Sequence, residues 1–263
     1  MKQTNSTLRL AALAAVALSV SLNAFGADAD AVIPVAGSLR GGFGSVFKTA
    51  AQIHNRTDRA ARGEIVFHPA NVPASATDPK LSYDLEPRAT VKYDDIVETL
   101  GVQGIGSIDV FTIEGAVPAI VARVYDSQET GTSGAGVPLI DTRDALKARE
   151  STSLTVPGDL AQFRFNLGIR SLSDGAVVRI TVRSADGITR SDVQRGFPAN
   201  FFQQQAGNEF VVGALGANDS VGVEILEGSA VLYGTTTDNT TNDPSIQIAG
   251  KDAEVPTGSD LLE

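Results

Sequence analysis

The sequence has no cysteine and no tryptophan, and its 263 residues include one methionine and two histidines. Without a thiol it can form no disulfide, no thiolate metal site and no thiol nucleophile. With two histidines and no His-x-His pair, it has too few of the usual ligands for a zinc site. Apolar runs long enough to span a bilayer are also missing after residue 29. We therefore expect a chain without a membrane span after that point, held together by a packed core.

Basic residues are scarce as well. Lysine and arginine total 21 against 31 acidic residues, which gives a formal net charge of −10. Nucleic acids and anionic membranes both attract basic surfaces. The charge balance argues against both, and it leaves another protein or a surface polysaccharide as the expected partner.

Residues 1–29 show the three parts of a secretory signal. Lys2 and Arg9 are its positive charges, Leu10–Leu22 is its apolar run, and small residues at 24–26 or 27–29 offer a cleavage site. A membrane anchor is the alternative, but a bilayer takes about 20 apolar residues and this run is shorter. We predict export to the periplasm, the cell surface or the medium. An exported chain of this size without disulfides favours a bacterial source.

One alternating stretch occurs twice in the chain. The segments 47–67 and 163–182 align with a single gap, and 108–115 aligns with 221–228 without one. Two copies of one β-rich unit are the simplest explanation. The aligned positions are Phe47, Thr49, Ala51 and Ile53 over Phe163, Phe165, Leu167 and Ile169, then Ile108, Val110, Glu114 and Gly115 over Val221, Val223, Glu227 and Gly228.

Apolar and polar residues alternate through these segments with the two-residue period of half-buried strands. We expect hairpins where a turn separates two such runs, namely at Asn55–Ala61, Ser173–Gly175, Glu114–Gly115 and Glu227–Gly228. In the second copy the polar face, which carries Arg164, Asn166 and Arg170, is predicted to face water.

Other segments carry weaker signals. Asp141 and Thr142 could cap a short helix over 143–150, and 94–100 could form one helical turn. Residues 127–136 are predicted to be a flexible loop and 209–215 a strand.

The sequence therefore predicts an all-β protein with two tandem, related antiparallel β-sandwich units. The expected divisions are a signal peptide (1–29), a first unit (30–138), a linker with one short helix (139–158), a second unit (159–249) and a disordered acidic tail (250–263).

Several motifs resemble a family of secreted bacterial proteins that carry a two-part, immunoglobulin-like β-sandwich. The resemblance covers nearly the whole mature chain and is most specific in the last motif. It departs from the family at Arg56, where proline is usual, and at Phe165, where threonine is usual. It implies a non-catalytic module, often attached to larger surface or secreted proteins, with no defined ligand. The motifs are Ile33-Pro34, Phe47-Lys48-Thr49, Asn55-Arg56-Thr57, Arg123-Val124-Tyr125, Phe163 to Gly168, Asp186-Gly187 and Tyr233 to Pro244.

A cluster of oxygen-bearing side chains follows Thr237. Asp238, Asn239, Asn242 and Asp243 could bind calcium, although their spacing is not that of an EF-hand and the closing glutamate is absent. Asn and Asp also build loops by bonding the backbone two residues on, and we favour that interpretation. Calcium is the one cofactor considered, and no other is expected.

Two further places could be functional sites. A Ser-His-Asp arrangement needs a histidine, and the candidates are His54 and His68. His54 lies on the polar phase of its strand, where the second copy has Arg170, so we expect it at the surface. The stretch Phe201–Gln205 could be an exposed edge for strand addition, but an ordinary strand with one buried phenylalanine is favoured.

No catalytic residue is predicted. The leading hypothesis is an exported, non-enzymatic structural or interaction module. A carbohydrate- or protein-binding module of the adhesion type is the alternative, although four tyrosines and no tryptophan offer few platforms for a sugar. The third hypothesis is a hydrolase with an unidentified pair of carboxylates.

Overall fold

A computed structural model describes residues 28–128 and 131–252. In these residues the protein consists of two large sheets and two four-residue helices, so the predicted all-β class is confirmed. Most of the predicted signal peptide, and the predicted tail from residue 253, lie outside the described residues. No helix in the described ranges is long and apolar enough to cross a membrane.

The first lobe, residues 28–141, holds a nine-stranded sheet. Its elements are β1 (Ala31–Arg40), β2 (Val46–His54), β3 (Ala61–Pro69), β4 (Lys80–Leu85), β5 (Thr90–Tyr93), α1 (Ile96–Thr99), β6 (Gly104–Glu114), β7 (Ala119–Gln128), β8 (Gly131–Val137) and β9 (Ile140–Asp141).

The second lobe, residues 142–252, holds a seven-stranded sheet. It begins with a 3-10 turn at Thr142–Asp144. Its other elements are β10 (Leu146–Lys147), β11 (Ser151–Thr155), β12 (Phe163–Arg183), β13 (Thr189–Phe197), β14 (Phe202–Ala206), α2 (Gly207–Phe210), β15 (Ser220–Asp238) and β16 (Pro244–Ile248).

Strand β1 lies in the middle of the first-lobe sheet. It pairs with β6 over most of its length, with β9 at its first two residues and with β2 at its last two. Beyond β6 come β3 and β4, and beyond β2 come β7 and β8. Side chains from both sides of β1, such as Ile53 on β2 and Ile65 on β3, are buried in one cluster. The sheet therefore encloses a single core.

Two long strands form the second lobe. β12 and β15 are antiparallel partners along almost their whole length, with a register shift between Ser171 and Ala176. The first half of β12 pairs with the end of β15, and β14 and β16 flank this pair. The second half of β12 pairs with the start of β15, and β13 and β11 flank that pair. The shift changes which residues point inward, so Leu167 and Ile169 before it and Val178 and Ile180 after it share one core.

The same pairing scheme occurs in both lobes. In the first, β2 pairs with β7 and β5, while β3 pairs with β6 and β4. In the second, the first half of β12 pairs with the end of β15 and with β14, and the second half pairs with the start of β15 and with β13. α1 follows β5 as α2 follows β14.

The predicted hairpins are wrong. β2 and β3 do not pair with each other, and neither do β6 and β7, because each turn between them carries the chain to the other side of β1. Ser173–Gly175 is an irregularity inside β12, and Glu227–Gly228 lies within β15. Alternation shows that a strand has one buried face, but it does not identify the neighbouring strand.

The predicted linker helix over 143–150 is also wrong. Asp141 does accept a bond from the Arg143 amide, but only the 3-10 turn follows. Leu146 then pairs with Ala230 and is almost completely buried. An isolated helix of this length is marginal in water, and pairing with β15 buries the apolar side chain instead.

Three smaller predictions can also be compared with the structure. Residues 127–128 of the predicted loop belong to β7 and residues 131–136 to β8, and the predicted strand at 209–215 is the end of α2 and a turn. The helical turn at 94–100 is confirmed as α1, where the Asp95 carboxylate accepts bonds from the amides of Val97 and Glu98, both at 3.2 Å.

An aromatic ring covers a glycine on the neighbouring strand at one place in each lobe. Tyr83 lies over its partner Gly63 in the first lobe, and Tyr233 lies over its partner Gly168 in the second. A Cβ atom at either glycine would overlap the ring. Glycine is therefore required at both positions by close approach.

Candidate functional site

One face of the second-lobe sheet lies against the first lobe. Phe202 on β14 and Tyr233 on β15 stack with their ring centroids 6.5 Å apart, and both belong to the buried core cluster of the first lobe. Arg170 lies in the same row as Phe202 and is completely buried. The prediction that this polar face meets water is wrong, because the first lobe covers it.

A buried cluster of charges joins the lobes at one end of this face. Nη2 of Arg170 is 2.5 Å from Oδ2 of Asp109 on β6. The same carboxylate oxygen is 3.0 Å from Nε2 of His68, whose Nδ1 is 2.6 Å from Oδ2 of Asp78. Asn200 Oδ1 lies 3.4 Å from the Arg170 guanidinium. Each of these five side chains is less than a tenth exposed.

The geometry favours a doubly protonated His68. A neutral imidazole carries one N–H, whereas here both ring nitrogens face carboxylate oxygens. Burial lowers the pKa of His68, but Asp109 and Asp78 raise it more, so the pKa lies above its usual 6.5. Burial raises the pKa of Asp109, but Arg170 and His68 outweigh it and lower the pKa below 3.8. Two cations therefore face two anions.

Three buried polar atoms beside this cluster lack a partner within the described residues. They are Oδ1 of Asp109, Nε of Arg170 and Oγ of Ser107. A buried ion pair is weak evidence for stability, because desolvating both charges offsets their attraction. Such a pair does penalise any arrangement that separates the charges. The cluster therefore favours the observed arrangement of the two lobes over any arrangement that separates these charges.

A cleft opens between the lobes toward the other end of the same face, with a volume of about 270 Å³. Its first-lobe wall is apolar, and its second-lobe wall is largely polar. Val35, Gly37, Leu39, Gly41, Gly42, Phe47, Ile105 and Val124 form the first wall, and Arg164, Asn166, Gln204, Thr235, Thr237, Pro244 and Ile246 form the second.

Arg164 is the charged residue of the cleft. Its Nη2 donates to Oδ1 of Asn242 at 2.9 Å, and its Nη1 donates to Oδ1 of Asn239 at 3.2 Å and to the carbonyl of Asp238 at 3.4 Å. These acceptors are all uncharged, and Arg164 makes no salt bridge with any described residue. Burial lowers its pKa, whereas Asp126 and Asp238 raise it to a lesser extent.

Phe43 lies beside the cleft on a short 3-10 turn, Gly42–Gly44. Its φ of 56° is in the left-handed region, and its side chain is 66 % exposed. The Arg164 guanidinium lies 5.3 Å from the centre of the ring, and the Asn242 amide donates to the Phe43 carbonyl at 3.1 Å. These two contacts from the second lobe hold the turn.

The predicted calcium candidates lie next to the cleft as parts of a hydrogen-bonded turn. Oδ1 of Asp238 accepts from the amides of Thr240 at 2.7 Å and Thr241 at 2.8 Å, which helps to lower its pKa to about 2. The main-chain carbonyl of Asp243 accepts from the Asp238 amide at 3.1 Å.

In addition, Gln162 donates to the other Asp238 oxygen at 3.0 Å, and this bond is the largest contribution to its lowered pKa. The Asn239 and Asn242 oxygens bond Arg164. Across 28–128 and 131–252, no group of three or more His, Asp or Glu side chains is placed to hold a metal ion.

The two histidines have different surroundings. His54 is partly buried, and its Nδ1 lies 2.9 Å from the Thr90 hydroxyl. His68 belongs to the buried cluster, which sequence reasoning missed. One signal was present, since Asp109 stands between Ile108 and Val110 in an apolar strand, and a buried carboxylate needs a partner.

The stretch Phe201–Gln205 is mostly strand β14, which pairs with β12. Phe202 is buried, and its carbonyl accepts from the Asn71 amide of the first lobe at 2.9 Å. Gln203 donates to the Asn71 side chain at the same distance. This strand therefore belongs to the contact between the lobes.

In comparisons with known proteins, the chain matches no family model and no curated sequence. Its function has to be inferred from the contact between the lobes and from the cleft.

Proposed function

We propose that this chain is an exported, non-catalytic module that acts as a structural or interaction element at the bacterial envelope or outside the cell. In this proposal its lobes are tandem immunoglobulin-like β-sandwich units. The shared pairing scheme supports two related units, and the single core of each lobe supports a sandwich arrangement.

The observation that carries the proposal is the way the lobes are joined. The Asp109–Arg170 ion pair crosses between them in a buried site, and Phe202 and Tyr233 complete the core of the first lobe. Breaking the contact would expose both charges and both rings. The contact therefore favours one arrangement of the two lobes, which suits a module that holds its attached domains at a fixed separation.

Export and envelope association can be tested together. An antibody against the purified protein is used to follow it through cytoplasmic, periplasmic, envelope and medium fractions of the producing organism. N-terminal sequencing of the isolated protein should show a start close to residue 27 or 30. Recovery from the cytoplasm with Met1 or Lys2 at its start would refute the proposal.

The cleft favours a second candidate, a module that binds a carbohydrate or a protein. Its mixed polar and apolar walls could hold part of a larger ligand. A glycan array and a pull-down from secreted proteins would separate this candidate from a purely structural role. Binding that Arg164→Gln abolishes would favour it.

The hydrolase hypothesis is less well supported. Asp78 and Asp109 are two carboxylates that share one partner, His68, but both are buried and neutralised by His68 and Arg170. A substrate could not reach them without opening the lobes. Hydrolysis of chromogenic glycosides or esters by the purified protein above the blank rate would restore this hypothesis.

A further inference from the structure

We propose that the cleft between the lobes binds a short aliphatic monocarboxylate, with its hydrocarbon chain against the first-lobe wall and its carboxylate at Arg164. This inference goes beyond the proposed function and does not depend on it. A structural module and an adhesion module could both carry such a site.

The first wall suits a hydrocarbon chain. Val35, Leu39, Ile105 and Val124 present aliphatic side chains, and they come from strands β1, β6 and β7 of the rigid sheet. The volume of about 270 Å³ exceeds the ~150 Å³ that takes a benzene molecule and is near the lower end of small-molecule sites. A chain of several methylenes fits this space, whereas a full-length lipid tail would protrude.

Arg164 suits a carboxylate. Its guanidinium bonds only uncharged oxygens, so its positive charge is not neutralised by a contacting carboxylate within the described residues. Two of its three bonds are longer than 3.1 Å, so they can be exchanged for stronger ones. A carboxylate would add the attraction of opposite charges to these bonds, and it can accept two parallel bonds from one guanidinium. Arg164 is the one charged side chain among the residues that line the cleft, so the cleft favours an anionic group at this end.

A sugar suits the cleft less well. Oε1 of Gln204 already accepts from the Tyr233 hydroxyl at 2.7 Å, and the Asn166 amide donates to Thr235 at 3.4 Å. The opposite wall is mostly branched aliphatic, with Phe47 as its one aromatic side chain, so it gives a sugar ring little flat surface. Methylene groups have no hydrogen bonds to lose against such a wall, and burying them is favourable.

Phe43 is placed to complete the site. A non-glycine residue in the left-handed region costs energy, and such residues cluster at ligand clamps. Its exposed ring lies over Arg164, where it can cover the bound head group and exclude water. This covering would strengthen the ion pair by lowering the local dielectric constant.

The test uses the mature protein and isothermal titration calorimetry with hexanoate, octanoate, octanol and octyltrimethylammonium. We expect octanoate to bind, hexanoate to bind at least tenfold more weakly because two methylenes are lost, and the cation not to bind. Arg164→Gln should weaken octanoate at least tenfold. Its control, Arg179→Gln on the same strand, removes an exposed arginine that pairs with Glu224 and should leave the affinity unchanged.

Arg164→Gln also removes bonds to the 238–243 loop, so a second variant is needed. Val124→Trp fills the cleft from the first-lobe wall, leaves the Arg164 bonds to the loop unmutated, and should abolish octanoate binding while the protein stays folded by circular dichroism. Failure of octanoate to bind at millimolar concentration would overturn the proposal. Equal binding of octanol and octanoate would overturn it too, as would an unchanged affinity in either cleft variant.

An anionic lipid also offers a hydrocarbon chain next to an anionic head group, and vesicles distinguish it from a free acid. Octanoate binding without sedimentation on phosphatidylglycerol vesicles would identify a free acid as the ligand. Sedimentation that octanoate reverses would identify the acyl chain of a lipid, with the same site. Sedimentation that octanoate does not affect, together with no octanoate binding, would refute the site.

Discussion

The Asp109 carboxylate of one lobe and the Arg170 guanidinium of the other lie 2.5 Å apart, and both side chains are almost inaccessible to water. Asp109 sits between two core residues of β6, and Arg170 follows Ile169 on β12. His68 contacts the same carboxylate oxygen from the other side. Loss of this ion pair should destabilise both lobes.

We predict that Arg170→Met destabilises the protein by about 3–5 kcal/mol, because it leaves Asp109 buried with one cation instead of two. Urea unfolding followed by circular dichroism measures the change. Arg179→Met, at an exposed pair on the same strand, should cost no more than about 1 kcal/mol. The double variant Asp109→Leu with Arg170→Met should recover much of the loss. Equal effects of the two single arginine variants would show that the buried pair has no special role.

Stability should depend on pH through His68, which faces Asp78, Asp109 and Arg170. Its pKa is raised on folding, so its contribution is complete below pH 6.5 and is lost as the pH rises through the folded value. The pKa of Asp109 is lowered on folding, so its contribution is lost as the pH falls below 3.8. The melting temperature should therefore be highest between these limits.

His68→Gln provides the comparison for this pH dependence. The difference in melting temperature between the natural protein and the variant should be largest in mildly acidic buffer and should shrink in alkaline buffer. Calorimetry across this range would measure it. A difference that is constant with pH would mean that His68 does not change its protonation on folding.

Gly168→Ala should destabilise the second lobe by roughly 1–3 kcal/mol, the usual range for overpacking. The added Cβ would overlap the ring of Tyr233, which is buried against the first lobe and has its hydroxyl bonded to Gln204. Gly196→Ala on β13 is a matched control, because nothing lies within 4 Å of the added Cβ. Unfolding midpoints in urea would measure both. A loss at Gly196 as large as that at Gly168 would refute the role of ring contact.

The loop after Thr237 should not need calcium. Asp238 is already bonded to two amides and to Gln162, so we expect the same melting temperature with a chelator and with added calcium. Asp238→Ala should lower the melting temperature in both conditions, because two loop amides lose their acceptor. Asp243→Ala keeps the main-chain carbonyl that holds the turn and should change little. Stabilisation by calcium that Asp238→Ala removes would support a metal site.

Alternation along the chain was enough to predict most of the strands, because burial of one face imposes a period of two residues. Leu167, Ile169, Val178 and Ile180 are buried as their phase predicted. The pairing could not be predicted in this way, because partners distant in the chain compete with partners across a turn. The sequence therefore suggests hairpins, whereas the structure has connections across β1 in the first lobe and two long strands in the second.

The candidate site could not be predicted from the sequence for a related reason. Arg164, Asn166 and Arg170 form a polar row, and a polar row normally faces water. Here another lobe covers the row, and only the position of that lobe distinguishes the buried Arg170 from the cleft residue Arg164. The alignment of Arg170 with His54 was misleading, because the two equivalent strands lie in different surroundings.

Phe202 and Tyr233 come late in the sequence but belong to the core of the first lobe. The cores therefore cannot be completed in the order in which the chain is synthesised. A nascent chain that has emerged only as far as β9 lacks the two rings that close this core. The core of the first lobe is complete only once β15 is available, so an export system that carries unfolded chains would meet a chain whose first core is still incomplete until its synthesis is almost finished.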